Sequence, residues 1–204
     1  MSTVFEYEGL RYFEAEGVYP VREDTLLLIS VLKDQLQDGK GRLLDMGAGT
    51  GLASLTASSM GWGVVSVDRE PLALSLVRRN LKMNGLASEL YLSDLFEGLP
   101  RRFLSAFDLM TFNPPYLEVM DPWVDRRSDL ALVGGYEGTN VLERFIRNCR
   151  PFLARDGRII VLGYSNWKIG RFLEGCGLDL RKGPLIEKDI DGELFRAYIL
   201  EAGQ

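Results

Sequence analysis

"GRLLDMGAGTG", residues 41–51, passes from an apolar run through Asp45 into three alternating glycines, directly ahead of the helical spacing of "LASLTASSM". Strand, glycine turn and helix in that order open an α/β unit, and glycines there let the backbone approach a ligand closely. A dinucleotide-binding turn would need a third glycine where Leu52 stands, and no Gly-Lys-Ser/Thr of a phosphate-binding loop follows. At this point the turn reads as a ligand loop of another kind or as a plain connection.

Outward from that turn, short β-rich runs alternate with helical stretches. Asp24 and Thr25 open the helical run "LLLISVLKDQL". "WGVVSVD" reads as a second strand, and Pro71 starts a helix that stops at Asn84-Gly85. "SELYLSD", "FDLMTFN" and "GRIIVLGY" read as the third, fourth and fifth strands, with the helix "TNVLERFIRNCRPFL" between the last two. Near the end, Asp191-Gly192 separates two β-rich runs and predicts an antiparallel hairpin that closes the sheet. The expectation is an α/β fold with a mostly parallel sheet.

Composition narrows the chemistry. The 204 residues suit one compact domain, and a formal charge of -5 disfavours sequence-independent phosphate binding. Cys149 and Cys176 lack metal-ligand spacing, and no signal-peptide or membrane-spanning run is apparent, so a cytoplasmic, disulfide-free protein is expected. Histidine is absent, which removes Ser-His and Cys-His nucleophile schemes. The basic clusters Arg78-Arg79-Lys82 and Arg101-Arg102 read as solvated surface.

Asp68 ends the second strand and Asp94 the third, so in a parallel sheet both share a carboxyl edge with the glycine turn. Asp68 is placed to accept hydrogen bonds from ribose hydroxyls, and Asp94 from an adenine amino group, with Leu95 covering the ring. Joined to the turn, these positions resemble the class I S-adenosylmethionine-dependent methyltransferases. That resemblance implies a doubly wound, seven-stranded, mostly parallel sheet with a C-terminal antiparallel hairpin. It implies S-adenosylmethionine as cofactor, contacted by Asp45, Gly47, Gly49, Asp68, Asp94, Leu95 and Asn113. No metal is expected. Residues 1–204 are expected to form a single methyltransferase domain, with 1–38 as an N-terminal hairpin and helix packed on the core.

The fourth strand runs into Asn113-Pro114-Pro115-Tyr116. An amide or aromatic amino nitrogen is a poor nucleophile because its lone pair is delocalised. Two acceptors that hold its N–H groups would turn the lone pair toward a methyl donor and accommodate the charge developing on nitrogen. The Asn113 side-chain carbonyl and the Pro114 backbone carbonyl are suitable, Pro114 and Pro115 fix their arrangement, and Tyr116 offers a flat face. This tetrapeptide resembles that of methyltransferases acting on planar nitrogen, which include nucleobase amino methyltransferases and the HemK-like enzymes of release factors.

"GVYPVREDTLLLISVL" resembles the N-terminal signature of the small archaeal and eukaryotic HemK-like branch. Glu23, Asp24 and Thr25 match residue for residue, Tyr19 keeps its spacing, and proline is displaced by one, to Pro20. In that branch Thr25 would approach the cofactor's carboxylate end. "LVGGYEGTNVLERF" resembles the family's glycine-rich segment, although Leu132-Val133 stands where the family has tryptophan. The resemblance implies methyl transfer to the side-chain amide nitrogen of the Gly-Gly-Gln glutamine of a class 1 release factor. The alternative is an RNA or DNA amino-group methyltransferase. Against it, Glu118, Asp121, Asp125 and Asp129 outnumber Arg126 and Arg127 in the loop after Tyr116, a rim that repels phosphate. The extra N-terminal domain by which longer bacterial relatives dock release factors is not expected. The branch instead implies a small zinc-binding activator subunit, which would add to the sheet through an edge strand at residues 88–93.

Overall fold

The computed structural model describes residues 3–36, 40–115, 117–118, 133–135, 139–164, 169–182, 187–190 and 193–203. An antiparallel hairpin of β1 (Val4–Tyr7) and β2 (Leu10–Phe13) comes first, then α1 (Glu23–Gln35). The alternating core follows: β3 (Arg42–Met46), α2 (Leu52–Ser59), β4 (Gly63–Asp68), α3 (Pro71–Met83), β5 (Glu89–Leu92) and β6 (Phe107–Phe112). A two-residue β7 (Leu117–Glu118) pairs with β8 (Val133–Gly135), and the chain continues through α4 (Asn140–Cys149), β9 (Leu153–Tyr164) and α5 (Ile169–Leu173). It ends with β10 (Leu178–Lys182), β11 (Glu187–Ile190) and β12 (Glu193–Ala202).

The main sheet runs β5-β4-β3-β6-β9-β12-β10, with β11 also paired to β12. Strands β5, β4, β3, β6 and β9 are parallel, and β12 is antiparallel to β9, β10 and β11. Both expectations, the mostly parallel sheet and the C-terminal hairpin, are met. The expected count of seven strands becomes seven positions occupied by eight strands, because β10 and β11 lie end to end along one side of the ten-residue β12. The antiparallel strand is therefore inside the sheet rather than at its border.

Consecutive residues of the parallel strands serve opposite cores, which is why their sequences read as unbroken apolar runs. Leu43, Val64, Leu109 and Ile160 pack with Leu27 and Leu32 of α1, Leu55 of α2, and Val77 and Leu81 of α3. Their neighbours Leu44, Val65, Met110 and Ile159 pack on the other face with Leu142, Phe145 and Ile146 of α4. Register brings Met46 level with Val67 and Phe112, so β3, β4 and β6 end together and form one shelf. Among the described residues β5 pairs only with β4 and is a sheet edge, within the segment 88–93 expected to form one.

Candidate active site

The glycine turn leaves β3 at that shelf. Gly47, Gly49 and Gly51 have φ of 64°, 53° and 83°, values that side-chain-bearing residues rarely adopt. Their surroundings differ. A Cβ on Gly51 would lie 3.1 Å from both Cγ atoms of Val77, whereas one on Gly49 would meet nothing nearer than 3.9 Å. Gly51 is thus required by packing against α3, and Gly49 borders open space.

That space is a pocket lined by Thr25, Asp45, Gly47, Gly49, Asp68, Asp94, Leu95, Asn113, Pro114 and Pro115. All the residues singled out from the sequence as contacts or catalytic groups meet there except Tyr116. Tyr116 lies outside the described residues, as do the acidic and basic residues at 121–129 and the Asp191-Gly192 turn.

Asp45 is buried and its oxygens are engaged. It accepts bonds from Ser54 N at 3.0 Å, Ser54 Oγ at 2.5 Å and Thr111 Oγ1 at 3.3 Å. From Ser54 the hydroxyls continue to Ser66 at 2.6 Å and Ser88 at 2.7 Å. Burial pushes the Asp45 carboxyl up to about 7, against the opposing pull of the Ser54 and Thr111 bonds. Asp45 therefore fastens the turn to α2 and β6 while it borders the pocket.

Asp68 accepts from Gly49 N at 3.0 Å and from Glu70 N at 2.9 Å, and burial raises its pKa against those bonds. Each carboxylate oxygen can accept more than one bond, so capacity for ligand hydroxyls remains. Asp94 is exposed and receives Arg144 at 3.0 Å, with Glu97 on the same guanidinium at 3.2 Å. Leu95 follows in left-handed backbone at φ 52°, buried in the pocket wall. Such strain in a non-glycine residue gathers at functional sites.

Asn113 stands just past β6. Its Nδ2 donates at 2.8 Å to Oδ2 of Asp24, a carboxylate only 1 % exposed. Tyr19 donates its hydroxyl to the same oxygen at 3.0 Å, and Thr25 N donates to the other at 2.7 Å. Because a carboxylate only accepts, the amide nitrogen must face Asp24 and the amide oxygen must face away. That oxygen, Asn113 Oδ1, is buried and has no hydrogen-bond partner among the described residues. An orphaned acceptor costs about 1–3 kcal/mol unless a ligand completes it. The resemblance to the HemK-like branch implies cofactor contact through Thr25 and assigns none to Tyr19 or Asp24. Asp24 was not expected at the site, although its burial to 1 % exposure within the polar first turn Glu23-Asp24-Thr25 sets it apart from its exposed neighbour Glu23. Arg144 was also not anticipated.

These residues suit S-adenosylmethionine. The open side of Gly49 gives room, Asp68 and Asp94 offer carboxylates at the strand ends, and Leu95 and Pro114 give apolar wall.

Comparison with known proteins agrees. The family described as methyltransferase small domain matches residues 14–126. A Methanocaldococcus jannaschii protein, provisionally named a protein N5-glutamine methyltransferase, is 34% identical over 79% of this chain and 80% of its own length. A release factor glutamine methyltransferase of Deinococcus radiodurans is 32% identical over 76% of this chain, which spans 58% of that longer protein. Among solved structures, the E. cuniculi Mtq2-Trm112 complex, whose title assigns it methylation of the eRF1 termination factor, matches at a TM-score of 0.70 and 25% identity. That match covers 92% of this chain and 99% of the other. The shelf, the glycine turn and these matches agree: the chain belongs to the methyltransferase small domain family, as a HemK-like, S-adenosylmethionine-dependent N-methyltransferase.

Proposed function

We propose that the protein methylates the side-chain amide nitrogen of the glutamine in the Gly-Gly-Gln motif of a class 1 release factor. The observation that carries this reading is the buried Asn113 Oδ1 in the pocket wall, without a partner among the described residues and held in one orientation by Asp24. A primary amide brings two N–H groups. Asn113 Oδ1 accepts one and the Pro114 backbone carbonyl accepts the other, which turns the nitrogen lone pair into the pocket. S-adenosylmethionine, when bound, supplies an activated methyl group. The chain's own work is to orient the amide, exclude water and place an acceptor where charge develops on nitrogen. Pro114 and Pro115 stiffen the clamp, and Tyr116 is assigned the face against which the amide plane rests.

In this reading Thr25, Asp45, Gly47, Gly49, Asp68, Asp94, Leu95 and Asn113 contact the cofactor. Residues 1–204 act as one methyltransferase domain, with residues 1–38 as an extension packed on its core, in the cytoplasm. No helix among the described residues is long and apolar enough to cross a membrane. A small zinc-binding subunit is assigned to the free edge of β5. The Mtq2-Trm112 complex supports a partner subunit, and the 57 % exposure of Leu92 is the reason for the place.

The competing reading, transfer to a nucleobase amino group, shares the Asn113–Pro114 clamp but must also present a flipped base. One incubation separates the two: labelled cofactor with a purified class 1 release factor and bulk RNA in parallel, analysed by mass spectrometry. Label on the Gly-Gly-Gln glutamine supports the proposal. Label in RNA alone overturns it.

A further inference from the structure

Two asparagines of α3 hold the N-terminal hairpin. Asn84 Oδ1 accepts Arg11 N at 2.9 Å, and its Nδ2 donates to Arg11 O at 2.6 Å. One helical turn earlier, Asn80 Oδ1 accepts Phe13 N at 2.8 Å, and its Nδ2 donates to Phe13 O at 3.0 Å. Four helical residues advance about 6 Å and two strand residues about 6.6 Å, so side-chain amides at i and i+4 can pair with strand residues j and j+2. The two asparagines thus continue the ladder that β2 makes with β1 and occupy its outer edge. Arg79, the residue before Asn80, carries its guanidinium carbon 3.5 Å from the Phe13 ring centroid.

Asn80 does something that Asn84 does not. It is fully buried, and its Nδ2 makes a second bond, at 2.9 Å, to the backbone carbonyl of Thr50 in the glycine turn. One amide therefore ties the hairpin strand to the turn that borders the pocket. Beyond the hairpin the chain supplies Gly17, Val18 and Tyr19 to the pocket wall, and Val18 packs on Ala73 and Leu76 of α3. The two walls, glycine turn and hairpin segment, meet at Asn80.

We infer that Asn80 is a positioning residue for the cofactor pocket: it fixes the hairpin segment 13–19 against the glycine turn and so sets cofactor affinity rather than the methyl-transfer step. Asn80→Asp keeps the acceptor for Phe13 N but turns a carboxylate oxygen toward the carbonyls of Phe13 and Thr50, neither of which can donate. Asn84→Ala loosens the hairpin at Arg11 and leaves the Thr50 link intact.

The probe is S-adenosylhomocysteine, titrated by calorimetry into the wild-type protein and both variants. Asn80→Asp should weaken binding about tenfold or more while turnover at saturating cofactor stays within about threefold, and Asn84→Ala should bind within about twofold of wild type. Asn80→Ser, which is neutral and removes the same link, should follow Asn80→Asp. Equal weakening by Asn84→Ala, or unaltered binding by both Asn80 variants, overturns the inference. Should neither Asn80 variant fold, the wild-type protein decides by hydrogen exchange. At a hundredfold excess of S-adenosylhomocysteine over its Kd, the Phe13 amide should exchange at least about tenfold more slowly, and an unchanged rate overturns the inference.

Discussion

Asn113 and Asp24 lie 89 residues apart in sequence and share a 2.8 Å hydrogen bond that fixes which end of the Asn113 amide faces the pocket. Removing the carboxylate should free that amide to rotate. Asp24→Ala is expected to lower turnover by about 10- to 100-fold, the usual loss when the group that orients a reacting residue is removed. A steady-state assay on a Gly-Gly-Gln release factor checks this. Unchanged turnover would show that Asn113 is oriented by something else.

Two glycines of the turn, Gly51 and Gly49, should fail in different ways. Gly51→Ala adds a Cβ 3.1 Å from Val77 at φ 83° and should destabilise the fold by about 1–3 kcal/mol, read by chemical denaturation. Gly49→Ala meets no protein atom nearer than 3.9 Å and carries only the backbone strain of φ 53°, so it should lose less stability than Gly51→Ala and should also weaken cofactor binding, read by calorimetry. Equal stability losses would remove the distinction.

Much of this was legible in the sequence, for reasons particular residues show. Leu43-Leu44, Val64-Val65 and Leu109-Met110 read as strands because both faces of a parallel sheet are covered. β10 was missed because it is a border strand in which Leu178 is buried while Asp179, Leu180 and Arg181 are exposed, so no apolar run marks it. The shelf residues were found because glycine, proline and terminal aspartates have local signatures. The Asp24–Asn113 and Asn80–Thr50 bonds were not, since a buried hydrogen bond depends on tertiary proximity that no spacing encodes. Asp45, read as a ligand contact, proved also to anchor Ser54 and Thr111 for the same reason.

Protonation of Asp45 should leave a mark on stability. Its folded pKa, about 7, lies above the value of 3.8 expected when it is exposed, so between those values the folded state holds a proton that the unfolded state has lost. That contribution is fully present below about pH 4 and is lost as pH rises through about 7. Asp45→Asn should flatten melting temperature between pH 5 and pH 8 relative to wild type, as read by calorimetric melts across that range. Parallel profiles would place the titration elsewhere.

The free edge of β5 makes a further prediction. Coexpression with the proposed small zinc-binding subunit should give a stable complex, and Leu92→Lys, on that edge and 57 % exposed, should weaken it without altering cofactor affinity. Intact assembly with Leu92→Lys would move the interface to another surface.

Asn113 Oδ1 is the buried acceptor that has no partner among the described residues. Asn113→Ala, measured for cofactor affinity by calorimetry and for methyl transfer with labelled cofactor and a class 1 release factor, tests it directly. Affinity largely retained, with transfer lost by about 100-fold or more, is the predicted result. Transfer at the wild-type rate would contradict the clamp.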